Sequence, residues 1–122
     1  DYDEQAGSVK LFEADFQQGE KVQIMARDNS LMVKSARRNA RQLFEGVDLE
    51  RALCGLYIDC AGRASAFSGS TEEEADAVLE VFGDSLPLLG FYSGVEVAPV
   101  LDRSRPLDWT GVLCLLTLED EP

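Results

Sequence analysis

Seven residues near the ends of predicted strands have side chains or positions suited to holding a small ligand. Arg63 follows a glycine where a strand is predicted to end, and an exposed guanidinium there could bind a carboxylate or phosphate through two parallel hydrogen bonds. Glu96 could accept the amine of the same ligand, so that the two side chains would clamp a zwitterion. The candidate ligand-binding residues are Cys60, Gly62, Arg63, Tyr92, Ser93, Glu96 and Trp109.

Most of these residues also have a purely structural interpretation, and the sequence leaves both open. Arg63 could form a salt bridge with a neighbouring acid, and Glu96 could be a solvated loop acid. Tyr92 and Trp109 could pack into the core instead of pointing a hydroxyl or an aromatic lid at a ligand. Cys60 could be a small packed residue, and Gly62 could serve backbone geometry alone.

Catalytic chemistry has little support in the sequence. The chain contains no histidine, which excludes nucleophilic sites of the Ser-His and Cys-His kinds. Neither a GxxxxGK[ST] nor a GxGxxG phosphate-binding motif is present. Its cysteines are scattered and no acidic run matches a calcium loop, so no metal or other cofactor is predicted. We therefore expect a non-catalytic domain.

Charge and cysteine content narrow the class of partner and the compartment. The net charge of −12 disfavours nucleic acid, because phosphate binding needs concentrated Lys and Arg. Three cysteines without a CxxC pair fit a reducing compartment. No apolar stretch approaches the roughly 18 residues of a membrane helix, and no leader pattern is present. The sequence predicts a cytoplasmic domain that contacts neither nucleic acid nor membrane.

The periodicity of apolar residues predicts a single α+β domain with a mixed β-sheet, two main helices and the order β-β-α-β-α-β-β. Residues 28–30 offer caps for the first helix, and Gly46 and Gly83 supply helix ends. Ser70 and Thr71, followed by Glu73 and Glu74, predict two overlapping capping boxes for the second helix. The predicted strands cover residues 9–16, 20–27, 52–60, 86–92 and 110–118, and the predicted helices end near residue 45 and cover residues 71–82.

A β-α-β unit places the candidate residues together. Strand 52–60, helix 71–82 and strand 86–92 should form a right-handed crossover between parallel strands, which then end at the same sheet edge. Ligands favour the crevice outside such carboxyl ends. An antiparallel last strand would bring residues 108–110 to that edge too. Segment 94–108 has no regular pattern and is long, which favours a binding loop.

Three stretches of the chain carry a recognisable pattern: CAGR at 60–63, PLLGFYSGVEVAPV at 87–100 and DWTGVLCL at 108–115. Together they resemble the FIST C-terminal domain, a sensory module named for F-box and intracellular signal-transduction proteins. The resemblance covers residues 8–118, and we expect acidic, disordered tails at residues 1–7 and 119–122. One departure is Gly94-Val95-Glu96, where a Gly-Glu pair is common in the family.

The resemblance implies a sensory input domain that binds a small ligand, such as an amino acid or a carboxylate metabolite, within a larger cytoplasmic signalling protein. The partners it implies are that ligand and either an upstream FIST N-terminal domain or an output domain. The chain begins without Met, so we expect a fragment in which a pocket shared with the N-terminal half would be incomplete. The F-box branch of the family suggests an alternative, a protein–protein interaction module that recruits a partner.

Overall fold

A computed structural model describes residues 2–10 and 17–119 of the 122-residue chain. Strands are found both before and after the first helix. In chain order, the helices and strands are β1 (Tyr2–Asp3), β2 (Ser8–Val9), α1 (Asn29–Glu45), β3 (Ala52–Cys60), a 3-10 turn (Ala61–Arg63), α2 (Ser65–Ser68), α3 (Glu74–Phe82), β4 (Leu88–Ser93), β5 (Glu96–Val100), β6 (Arg103–Leu107) and β7 (Gly111–Thr117).

The central sheet has three strands in the order β4-β3-β7. β3 pairs with β4 in parallel and with β7 in antiparallel fashion. The predicted β-α-β crossover and the antiparallel last strand are therefore confirmed, as is the α+β class with a mixed sheet. Two short antiparallel pairs, β1-β2 and β5-β6, complete the strands of the described residues. One strand of the first pair, β1, lies within residues 1–7, the segment expected to be a tail.

The main helices α1 and α3 pack against one face of the central sheet. Along β3, alternate residues Gly55, Tyr57 and Asp59 are buried on that face. Phe82 of α3 meets Phe44 of α1 edge-on, with ring centroids 4.6 Å apart. This layer forms the core, whose buried residues are Ala40, Tyr57, Val78, Phe82 and Leu86.

Local sequence signals define α1 correctly. The Asp28 carboxylate accepts a hydrogen bond from the backbone N–H of Leu31 at 2.9 Å, which satisfies one of the unpaired donors of the first turn. At the other end, the Gly46 N–H donates to the carbonyls of Leu43 and Phe44. Both the N-cap and the glycine stop predicted for this helix are confirmed.

The capping boxes predicted for the second main helix are wrong. α3 begins at Glu74, and the residue before it, Glu73, makes no side-chain capping bond. The Glu73 carboxylate instead accepts the Ser65 backbone N–H, at 3.0 Å from each oxygen. The Ser70 hydroxyl donates to the Glu72 carbonyl. The acids that resemble caps therefore serve tertiary contacts.

Segment 20–27, predicted as a strand, forms none. Its alternation of apolar and polar residues suits a strand, but it pairs with no other strand of the described residues, and the Ile24 side chain is 97% exposed. A strand needs a partner for its backbone groups, so alternation alone is insufficient. Of the other predicted early strand, 9–16, Val9 lies in β2, whereas residues 11–16 lie outside the described residues.

Segment 94–108 is a β-hairpin, not the irregular loop that was predicted. β5 and β6 pair in antiparallel register around the two-residue turn Leu101-Asp102. Both turn residues have positive φ, 52° and 60°, as a type I′ turn requires. That turn usually contains Asn or Gly, and each strand here carries a proline, at 99 and 106. The usual hairpin signals are absent from this sequence.

We expect Gly55→Ala to destabilise the fold by about 1–3 kcal/mol, because its methyl group overpacks the helix–sheet interface. A Cβ at Gly55 would lie 2.8 Å from Leu88 Cδ1 and closer still to the Phe82 ring. The matched control is Gly94→Ala, whose Cβ meets nothing within 4 Å. Urea denaturation measures the free energy of unfolding of both variants, and an unchanged m-value shows that the difference is one of stability. Equal stability of the two variants would contradict this packing.

Candidate functional site

The carboxyl ends of β3 and β4 meet at one edge of the central sheet, where the start of β7 also arrives. Asp59 lies between Tyr92 on one side and Gly111 on the other, and Cys60 lies beside Ser93. The β-α-β topology therefore brings the candidate residues at strand ends together, as the sequence predicts.

Arg63, just after β3, is held by a buried carboxylate. Its Nε donates to Glu74 Oε1 at 2.8 Å, and its Nη2 donates to the other oxygen of Glu74. Its Nη1 donates to the carbonyl of Trp109. Burial opposes the charge of Arg63, but the hydrogen bonds to Glu74 and the charges of Glu74 and Asp59 outweigh it, and the pKa of Arg63 is raised. Arg63 is thus a salt-bridge residue located at the predicted edge.

Asp59, next to Arg63, has one carboxylate oxygen without a partner. Oδ1 accepts the backbone N–H of Cys60 at 2.9 Å and lies 3.5 Å from Arg63 Nε. Oδ2 is buried and has no hydrogen-bond partner in the described part of the chain. Burial, followed by repulsion from Glu74, raises the pKa of Asp59 to about 6, and Arg63 only partly offsets this.

Glu96 repeats this arrangement at the start of β5. Its Oε1 accepts the Ser93 hydroxyl at 2.7 Å. Its Oε2 is buried and also lacks a partner among the described residues. Asp59 and Glu96 are each only 2% exposed, so neither carboxylate is solvated by bulk water. The charge of Glu96 contributes to the raised pKa of Asp59, which places the two groups within electrostatic reach.

Tyr92 is not packed into the core. Its ring is half exposed, and its hydroxyl donates to Glu73 Oε2 at 2.8 Å. Burial and the bond to Glu73 raise the pKa of the Tyr92 hydroxyl. Hydrogen bonds from Ser65 and Tyr92 lower the pKa of Glu73 despite some desolvation. Tyr92 thus links β4 to the segment that enters α3.

Trp109 lines an open groove and packs closely against Gly62. A Cβ at Gly62 would lie 3.1 Å from the Trp109 ring, so the glycine permits their close approach. Trp109 is half exposed, and the Arg27 guanidinium stacks 4.0 Å from the centre of its ring. The groove has a volume of about 790 Å³, and its lining includes Arg27, Arg63, Trp109, Met25, Leu31 and Met32.

Sequence reasoning proposed Glu96 as a ligand contact but missed the other two buried acids of this site, Asp59 and Glu74. Asp59 is the single acid in the apolar run 52–60, and that isolation was a usable signal. Glu74 was interpreted as a helix cap, and Arg27 as part of a strand. Cys60 is buried at the end of β3, which agrees with its packing interpretation. Among residues 2–10 and 17–119, no group of three or more metal-ligating side chains is present.

The comparison with known families matches residues 1–99 to the family model of the FIST C domain. The chain belongs to the FIST C domain family. The matched segment includes β3, β4 and Glu96, and it ends before Trp109 and β7. In general terms, this family membership makes the protein a sensory domain of signal transduction. No curated protein and no solved structure matches the chain. None of the helices in the described residues has the length and apolar character needed to cross a membrane.

The raised pKa of Asp59 predicts a pH-dependent stability. The pKa is about 6 in the folded protein against an ordinary value of 3.8, so between these values the folded state keeps a proton that the unfolded chain has lost. Stability from this group therefore falls as pH rises from about 4 to 6. Asp59→Asn removes the effect, and its stability relative to the parent should rise by roughly 2–3 kcal/mol between pH 4 and pH 8.

Urea denaturation at several pH values measures this difference. The control is Asp84→Asn, which removes an exposed acid in the turn after α3. A difference between Asp59→Asn and the parent that stays flat with pH would mean that Asp59 keeps its ordinary pKa in the folded protein.

Proposed function

We propose that this FIST C domain is a non-catalytic sensory domain that binds a small ligand carrying an ammonium group at the carboxyl ends of β3 and β4. The observation that carries the proposal is the pair of buried carboxylates, Asp59 and Glu96, each with one oxygen that no described residue satisfies. A buried anionic oxygen without a donor is costly, so such a pair is suited to a cationic donor.

The charge balance of the site supports a cation. The buried carboxylates of Asp59 and Glu74 share the Arg63 guanidinium, and the charge of the buried Glu96 acts on Asp59. An ammonium group supplies one positive charge and three N–H donors, which suits two separate acceptor oxygens. A metal ion is a poorer fit, because the described residues place no third ligating side chain beside the pair.

The neighbouring groove supports a carboxylate on the same ligand. Arg27 lies over Trp109 at the groove wall with its guanidinium exposed. Arg63 also lines the groove, and three of the five N–H donors of a guanidinium are accounted for by its bonds to Glu74 and Trp109. The ligand class is therefore an amino acid or a related amine-bearing carboxylate metabolite.

Binding would produce a signal through the hairpin β5-β6. Glu96 is the first residue of this hairpin, and Ser93, which donates to it, is the last residue of β4. A ligand that contacts Glu96 would bind more tightly to one position of the hairpin than to others. Such a difference in affinity is what shifts a conformational equilibrium. Within the proposal, the domain acts in the cytoplasm and passes this change to an upstream FIST N-terminal domain or an output domain.

Matched probe sets test the ligand class. The 122-residue chain is screened by thermal shift against amino acids, the amines that lack their carboxylate, and the carboxylates that lack their amine. A ligand at a hundred times its Kd should stabilise the fold by roughly 2.7 kcal/mol. Amino acids should give the largest shift and amines a smaller one, whereas the carboxylates without an amine should give none.

Three variants locate the site, with binding measured by calorimetry. Asp59→Asn and Glu96→Gln should each abolish binding of amino acids and amines. Arg27→Gln should weaken amino acids about tenfold and leave amines unchanged. The control is Glu80→Gln, which removes an exposed carboxylate that pairs with Arg37. Glu80 is distant in sequence from Asp59 and Glu96. Binding that survives both carboxylate variants would place the ligand elsewhere, and absence of any shift with amine probes would reject the ligand class.

A second candidate function is a protein–protein interaction module that recruits a partner. The observation that favours it is the face of the central sheet opposite the helices, which carries exposed apolar side chains on β4 and β7.

A further inference from the structure

The groove beside Trp109 gathers apolar side chains on a concave surface. The side chains of Met25, Leu31 and Trp109 are 84%, 59% and 49% exposed, and together with the half-buried Met32 they line this groove of about 790 Å³. Single exposed apolar side chains are ordinary, whereas several of them in one concave surface of this volume are typical of a small-molecule site. We call these four residues the apolar lining.

Specific contacts hold the apolar lining together. Arg27 stacks 4.0 Å from the centre of the Trp109 ring, and its Nη2 donates to the Gly62 carbonyl at 3.2 Å. This side chain therefore fixes the end of segment 20–27, which pairs with no strand in the described part of the chain, against the residues before β7. The first turn of α1, capped by Asp28, supplies two of the four members.

Arg63 connects the apolar lining to the proposed ammonium site. It lines the same groove, and its Nε lies 3.5 Å from Asp59 Oδ1. In an α-amino acid, the ammonium group, the carboxylate and the side chain are all bonded to one carbon atom. A ligand whose ammonium group contacts Asp59 and whose carboxylate contacts Arg27 therefore lies at the groove, with its side chain beside the apolar lining.

The charged groups of the groove disfavour a charged side chain on the ligand. Among the described residues that line the groove, the charged ones are Arg27, Asp28 and Arg63. The Asp28 carboxylate already accepts the Leu31 N–H at 2.9 Å. A lysine or arginine side chain would thus lie beside two guanidinium groups, which repel it. An acidic side chain would compete with the ligand's own carboxylate for Arg27.

We propose that the apolar lining receives the side chain of the ligand and selects amino acids with large apolar side chains, such as leucine, methionine and phenylalanine. Two members of the lining are methionines, whose flexible thioether chains adapt to more than one shape, so a class of side chains is expected. This inference rests on the proposed function, whose residues hold the ammonium and carboxylate groups, and it specifies the remaining part of the ligand.

A series of unbranched amino acids tests the inference, with binding to the full chain measured by calorimetry. Alanine, 2-aminobutyrate, norvaline and norleucine differ only in the number of side-chain methylene groups. Each methylene group added should tighten binding by about two- to fourfold, because it is transferred from water to the apolar lining. Lysine, which adds an ammonium group to the norleucine side chain, should bind at least about tenfold more weakly than norleucine.

Two variants locate the side chain of the ligand. The double variant Met25→Ser, Leu31→Ser should reduce the norleucine-to-alanine affinity ratio by about threefold or more, because half of the apolar lining is removed. The matched control is Ile24→Ser, which removes a 97% exposed side chain that lies next to Met25 in the chain and outside the groove lining. Its ratio should stay within about twofold of the parent's. Near-UV circular dichroism checks that each variant folds.

Three results would overturn the inference and leave the proposed function standing. The first is equal affinity for alanine and norleucine, with binding of both lost in Asp59→Asn. The second is an affinity ratio that the double variant leaves unchanged, which would place the side chain outside the apolar lining. The third is lysine binding as tight as that of norleucine, which would place the end of the side chain in solvent. Absence of binding by every amino acid of the series would instead reject the proposed function, and this inference with it.

Discussion

The buried ion pair of Arg63 and Glu74 joins the segments on which the site depends. Arg63 follows β3, Glu74 begins α3, and the Trp109 carbonyl, which also accepts from Arg63, precedes β7. Only 15% of the Arg63 side chain and 3% of the Glu74 side chain are exposed. Removing one partner of such a pair costs about 3–5 kcal/mol, because the other charge is left buried. The crossover and the last strand are thereby fixed at one edge.

This pair also determines how much of the negative charge of the surrounding acids is neutralised. Because the Arg63 guanidinium is bonded to Glu74, it neutralises the charge of Asp59 only in part. Glu96 accepts its hydrogen bond from Ser93 instead. The surplus negative charge is thus a consequence of the pairing of Arg63 with Glu74, and its repulsion adds to the burial that raises the pKa of Asp59. Arg63 itself therefore acts chiefly in organising the carboxylates, and the ammonium group of the proposed ligand would contact Asp59 and Glu96.

Sequence reasoning succeeded where one physical signal dominates. The run 52–60 has the observed bounds of β3, because a short apolar stretch between turns suits a buried strand. It failed where the structure of a segment depends on which other residues it contacts in the fold. Segment 20–27 alternates well but pairs with no strand in the described part of the chain. Glu73 was available both for capping and for its actual contacts with Ser65 and Tyr92. The parallel topology correctly predicted that residues at the ends of β3 and β4 meet at one sheet edge, whereas Asp59 lies inside a strand and was not among the predicted residues.

The turn at the tip of hairpin β5-β6 has a mechanical consequence. Leu101 and Asp102 both hold positive φ although each carries a Cβ, which costs roughly 1–2 kcal/mol per residue. A turn that opposes its own conformation cannot stabilise the hairpin from the tip, so the hairpin must be held at its base. Glu96 lies at that base and is buried there. The hairpin is thus held at the end where Glu96 lies, and the proposed ligand, by contacting this carboxylate, would act on the hairpin at its anchored end and not at its strained tip.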